Sequence, residues 1–152
     1  MHEEHPDTTD PAFEYSEITD QVFIGTNSCC QTHFEGSLLK MGVTVDISLE
    51  GEHVDRPGGV EAYLWLPTPD HHAPEIGKTL IGIAALERAL DEEKKVYIHC
   101  RNGHGRAPTF FAAYLIRKNG MTPEEAVAFI KEKRPAVHLE KSQLAFLDTL
   151  KE

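Results

Sequence analysis

With 152 residues, 40% of them hydrophobic, the chain is long enough to bury one core and too short for two ordinary domains. A net charge of −10 excludes a surface built to track nucleic acid or anionic lipid, because both are drawn to basic faces, and no stable membrane association is expected. No apolar run reaches the length of about eighteen residues that a membrane helix needs, and three cysteines, two of them adjacent at Cys29 and Cys30, make neither a disulfide framework nor the spacing of a zinc site.

Residues 1–14 carry Pro6 and Pro11 and no apolar periodicity, so a flexible N-terminal arm is expected ahead of a single domain over 15–152. Its acidic opening, MHEEHPDTTDP, is unlike a signal peptide, and a cytoplasmic location is the expectation. Gln21 to Ile24 and Val43 to Leu49 read as strands, the second largely alternating, and Glu50 to Gly59 reads as a loop. Ala62 to Leu66 is a further strand, ended by Pro67-Thr68-Pro69 because proline cannot donate to a ladder. From Ile76 to Glu92 the residues Ile76, Leu80, Ile83 and Leu90 recur at helical spacing with charges between them. Val96 to Ile98 reads as a buried strand, followed by a glycine-containing loop and a helix from Arg106 to Lys118 that closes at Asn119-Gly120. Thr122-Pro123-Glu124-Glu125 has the pattern of a capping box and starts a helix running to about Lys133, before Pro135. A last helix turns Leu139, Leu144, Leu147 and Leu150 inward. Strands alternate with helices and helices then accumulate, which predicts an α/β fold with a central sheet flanked by helices.

The chemistry concentrates between the strand at Val96 and the helix at Arg106. Unpaired backbone N–H groups and the positive end of a helix dipole converge at such a junction and favour an oxyanion. Gly103 and Gly105 let the loop Cys100-Arg101-Asn102-Gly103-His104-Gly105-Arg106 curl into a nest of N–H groups. Arg106 can clamp two oxygens of a phosphoryl group with its planar fork. The same field stabilises a thiolate at Cys100, and a thiolate needs no base, so His99 is read as ordering the loop. A leaving oxygen needs a proton, and Asp70, between prolines in Pro67-Thr68-Pro69-Asp70-His71-His72-Ala73-Pro74, is the candidate donor.

His-Cys-x5-Arg after a buried strand, with an Asp about thirty residues upstream in a Pro-Asp-x-x-x-Pro loop, resembles the protein tyrosine phosphatase superfamily, in particular its compact dual-specificity branch. The likeness extends from about Ser16 to the C-terminus, taking in Ile18 to Gly25, the Glu50 region, Lys133-Arg134-Pro135, Gln143 and Phe146. It implies a mixed sheet of four or five strands, Cys100 as nucleophile, Arg106 as phosphate clamp and transition-state stabiliser, Asp70 as general acid and then base, and a phosphocysteine intermediate. One position departs from the family. Members usually carry Ser or Thr after the arginine, where the hydroxyl helps the sulfur leave in the second step, and this chain has Ala107-Pro108, with Thr109 as the nearest hydroxyl. Hydrolysis of the intermediate is therefore expected to be slow relative to its formation, unless Thr109 or His104 substitutes.

The expected substrates are phosphotyrosine and/or phosphoserine/threonine proteins, or a small phosphorylated molecule. Arg101 and His104 stand where phosphoinositide phosphatases of the superfamily carry basic residues, so a phosphoinositide or other polyanionic substrate is the alternative. A non-catalytic phosphate-binding module is the alternative of another class. No cofactor or metal is expected: among nine histidines, His71 and His72 are adjacent and point apart, with no third ligand at helical or hairpin spacing. Cys29 and Cys30 read as packing residues, with the trapping of oxidised Cys100 as the sharper alternative. Trp65 and Tyr63 read as core and pocket-edge residues, and Phe110, Phe111 and Tyr114 as the buried face of their helix. Gln143 is read either as positioning water or as an exposed or capping residue.

Overall fold

Short β-branched and aromatic runs build the sheet, and their alternation decides which side chains face which layer. The computed structural model describes residues 12–27, 36–55 and 57–150. Five strands, β1 (Tyr15–Glu17), β2 (Val22–Gly25), β3 (Val43–Glu50), β4 (Ala62–Thr68) and β5 (Lys95–His99), form one sheet in the order β1-β2-β5-β3-β4. The β1–β2 pair is antiparallel and the other three pairs are parallel, so the sheet is mixed, as expected. Five helices complete the chain: α1 (Gly36–Lys40), α2 (Ile76–Asp91), α3 (Arg106–Asn119), α4 (Pro123–Lys133) and α5 (Lys141–Asp148).

The two faces of the sheet have separate cores. Ile24, Ile47, Val96 and Ile98 pack with α2 to α5 in the main cluster, around the fully buried Phe110 and Phe111 of α3. The alternate residues Phe23 and Tyr97 join Leu38 of α1 and Val43 on the opposite face. That period of two carries directly into the site: His99 shares a face with Tyr97 and stacks on it with ring centroids 5.2 Å apart.

Several local readings are corrected. β4 continues through Pro67 to Thr68, because it is the edge strand and proline's missing N–H costs no ladder bond on the open side. β1 and α1 are absent from the sequence reading; three- and five-residue elements leave almost no periodic signal. Helix α2 does not bury Ile76 or Leu80, which are 46% and 42% exposed. It turns Thr79, Gly82, Ile83 and Leu86 inward instead. Gly82 sets this phase, since a Cβ there would lie 2.5 Å from the Phe110 ring and 2.8 Å from Leu66, so only glycine admits so close a helix contact. In α5 the buried positions are Gln143 and Leu147, while Leu144 is exposed. The capping box at Thr122 is present as read, with Thr122 accepting from the Glu125 N–H at 3.1 Å. Residues 1–11 of the expected arm, and Cys29 and Cys30, lie outside the described residues.

Candidate active site

The parallel strand β5 ends against the start of α3, and the loop between them gathers the candidate residues. Cys100 is 2% exposed, and its Sγ accepts a hydrogen bond from the Ala107 N–H at 3.4 Å, in the first turn of α3. Pro108 costs that turn nothing, as its nitrogen would have no intrahelical partner. Gly103 has φ 72°, and a Cβ on it would come within 2.7 Å of the Gly25 backbone, so the loop's curl depends on glycine at this point.

Arg106 is 2% exposed, with Nη1 donating to Glu52 Oε1 at 2.9 Å and to the Thr68 carbonyl at 2.8 Å. Its Nη2 lies 3.5 Å from Asp70 Oδ1. Burial works against the guanidinium charge, but the Glu52 hydrogen bond and the facing Cys100 outweigh it and hold the pKa above its ordinary value. The open cleft above Cys100, ≈ 210 Å³ in volume, is lined by the loop residues Asn102, His104, Gly105 and Arg106, by Asp70 and His71, and by His138, Glu140 and Gln143 from the C-terminal segment. Cys100, Arg106 and Asp70 are thus brought to one cleft from three parts of the chain. Arg101 is half-buried and does not line it. Burial and the neighbouring Arg134 push the His104 pKa down, so this rim residue is neutral at pH 7.

Beneath the loop, His99 is buried with Nε2 at 2.8 Å from Asp46 Oδ1 and 3.6 Å from Asp55 Oδ2. Burial is the largest single influence and pushes the imidazole pKa down, yet Asp46, Asp55 and Glu50 together outweigh it and leave the pKa above its ordinary value. Burial pushes the Asp55 carboxyl up and Glu50 up to about 7. Asp46, Asp55 and His99 are the group of the described residues that could hold a cation, with ligand atoms within 4.8 Å of one another. The His99–Asp46 contact is a close approach without hydrogen-bond alignment: among the described residues the buried Asp46 Oδ1 and His99 Nδ1 have no hydrogen-bond partner.

Sequence reasoning missed the second arginine of the site. Arg134, at the end of α4, is 2% exposed and donates from Nε to the Gly103 carbonyl at 2.8 Å and from Nη2 to the Asn102 carbonyl at 3.1 Å. Its outer edge grips Glu14 through both carboxylate oxygens, at 2.8 and 2.7 Å. One guanidinium therefore ties the loop to the segment leading into β1. The signal was present in Lys133-Arg134-Pro135, but its target is far away in sequence. Gln143 is buried, with Oε1 accepting from the Glu140 N–H at 2.8 Å and Nε2 donating to the His72 carbonyl at 3.1 Å, so the capping role holds and the exposed one does not. Thr109 donates its hydroxyl to Gly105 O at 2.7 Å, within its own helix.

Comparison with known proteins accords with this arrangement. Residues 22–151 match the dual specificity phosphatase catalytic domain. The chain is 32% identical over 82 residues to phosphatidylglycerophosphate phosphatase PTPMT1 of Arabidopsis thaliana, covering 53% of this chain and 24% of that protein. It is 28% identical over 122 residues to dual specificity protein phosphatase 1 of Mus musculus, covering 80% of this chain and 33% of that one. The matched part is thus only a quarter to a third of these relatives' own length. A crystal structure of PTPMT1 superposes with a TM-score of 0.78 at 26% identity, over 90% of this chain and 93% of that one. Over residues 22–151, most of its length, this chain belongs to the dual specificity phosphatase family.

Proposed function

We propose that the chain hydrolyses phosphate monoesters through a phosphocysteine intermediate, acting on phosphotyrosine and/or phosphoserine/threonine proteins. The observation that carries this reading is the convergence of Cys100, under the first N–H groups of α3, with Arg106 and Asp70 on one cleft. In the first step the Cys100 thiolate forms the S–P bond as the P–O bond to the leaving group breaks, and that oxygen takes the Asp70 proton. In the second, water attacks phosphorus, gives a proton to the Asp70 carboxylate, and the S–P bond breaks to release phosphate and thiolate. Arg106 and the loop N–H groups offset the charge on the equatorial oxygens in both steps.

Turnover of an aryl phosphate by wild type, Cys100→Ser and Asp70→Asn tests this. Cys100→Ser is expected to abolish turnover while still binding phosphate, and Asp70→Asn to lower it by about 10²- to 10⁴-fold on poor leaving groups. An inert wild type that binds phosphate would instead make the chain a phosphate-reading module. A second reading is favoured by the similarity to PTPMT1, whose name gives phosphatidylglycerophosphate as its substrate: a phosphorylated lipid headgroup in the same cleft. Rates on phosphotyrosine peptide, phosphothreonine peptide, phosphatidylglycerophosphate and inositol phospholipid vesicles separate the two. The chain's net charge of −10 disfavours approach to an anionic lipid surface and so supports the phosphoprotein reading.

A further inference from the structure

Asp70 lies on a connection between an edge strand and α2 and is itself 45% exposed on its side chain, so something must aim it at the cleft. Its own charge contacts are weak: Arg106 is 3.5 Å away, and His71, 71% exposed, is 3.7 Å from Asp70 and 3.3 Å from Glu140. The His71 pairs are exposed on both sides and contribute roughly 0–1 kcal/mol, and the buried Arg106 spends its closer donor contacts, at 2.9 and 2.8 Å, on Glu52 and the Thr68 carbonyl. The backbone contacts are stronger. His71 has φ 67°, a left-handed conformation that non-glycine residues rarely adopt, and its N–H donates to Asp70 Oδ1 at 2.9 Å. The His71 carbonyl accepts from Ser142 Oγ at 3.0 Å, and the next carbonyl, His72 O, accepts from Gln143 Nε2 at 3.1 Å. Gln143 is buried and spends its other amide atom capping α5, so its NH₂ group is held in direction before the loop arrives.

We propose that the first turn of α5 is a latch for the proton-donor loop: Ser142 and Gln143 hold two successive carbonyls, which keeps His71 left-handed and its N–H and the Asp70 carboxyl directed at the leaving-group side of the cleft. Ser142, Gln143 and His71 are positioning residues that act through Asp70, and the inference rests on Asp70 being the proton donor. It couples the C-terminal helix to the chemical step, though neither Ser142 nor His71 has any part in bonding to phosphorus.

The test is leaving-group dependence. kcat/KM, which reports the steps up to phosphocysteine formation, is measured on phenyl phosphate, whose leaving group needs a proton, and on a dinitrophenyl phosphate, whose leaving group does not. The variants are Ser142→Ala with Gln143→Met, the pair His71→Gly and His71→Val, and Asp70→Asn. The double variant is expected to lose about tenfold more on phenyl phosphate than on the dinitrophenyl ester, in the same sense as Asp70→Asn but smaller. Glycine adopts φ 67° freely and a β-branched residue resists it, so His71→Val is expected to give the steeper dependence of that pair, and this comparison stands even if the buried Gln143 change prevents folding. A latch variant that loses equally on both esters, or His71→Gly matching His71→Val, while Asp70→Asn steepens the dependence, overturns the latch alone. An Asp70→Asn enzyme whose leaving-group dependence is no steeper than that of wild type overturns the proton-donor reading and the latch with it.

Discussion

Ala107 meets the Cys100 sulfur with a backbone N–H where relatives usually add a hydroxyl, and the nearest hydroxyl, on Thr109, is turned back to Gly105. The sulfur therefore has one donor fewer when it must leave phosphorus. A hydrogen bond to a charged group contributes about 1.5–3 kcal/mol, which is on the order of tenfold or more in rate. Wild type is expected to give an initial burst of phenolate release in rapid mixing, and Ala107→Ser is expected to remove it and raise kcat by about tenfold. A wild-type time course without a burst would count against a slow second step. At this scale the sequence was informative wherever residue type alone dictates chemistry: Cys100, Arg106 and Asp70 were legible, and the loop's glycines with them. Glu14, Glu52, Asp46 and Asp55 were not, since an acidic residue in a chain this acidic carries no signal until its partner is known.

Helix α4 contributes more through Arg134, the residue that caps its C-terminal end, than through its buried face. Its N-terminus was readable, because a capping box is local and needs no tertiary partner. Arg134 at its other end spans the loop carbonyls of Asn102 and Gly103 and the carboxylate of Glu14, an arrangement that no local pattern encodes. Arg134→Met leaves those carbonyls unpaired and frees the half-exposed Glu14, and is expected to cost about 2–3 kcal/mol in urea denaturation, chiefly through the carbonyls. It should also lower kcat/KM on the dinitrophenyl and phenyl esters alike, since the whole loop shifts rather than the proton donor. Losses confined to stability, with kinetics intact, would show that the loop keeps its shape without this arginine. The mis-phased reading of α2 has a similar origin: apolar residues at helical spacing identify a helix, but Gly82 against Phe110, a contact between elements, decides which stripe is buried.

Across the whole molecule, the buried groups under the loop make stability depend on pH in one direction. Glu50 titrates at about 7 instead of 4.5, and Asp55 is also raised, both chiefly by burial. Between the ordinary and the raised values the folded state holds protons that the unfolded chain has released, so stability falls as pH rises through that window. His99 acts in the same sense: its raised pKa contributes stability that is complete below 6.5 and lost as pH climbs through the folded value. Urea denaturation is therefore expected to give a higher unfolding free energy at pH 5 than at pH 8. Glu50→Gln, which removes one of these protons, is expected to shrink that difference by about 2 kcal/mol. An unchanged pH dependence in the variant would remove Glu50 from the account.

By itself the sequence determined the α/β class, most helices, the anion-binding turn and the identity of the three candidate catalytic residues, because each depends on periodicity, proline and glycine geometry, or the chemistry of one side chain. Only the tertiary structure decided the fifth strand, the buried stripe of α2, the Arg134–Glu14 tie and the bonds from Ser142 and Gln143 to the Asp70 loop. The last two join residues about seventy or more positions apart in sequence, and nothing in a residue's own neighbourhood reports a partner that only folding brings within hydrogen-bond reach.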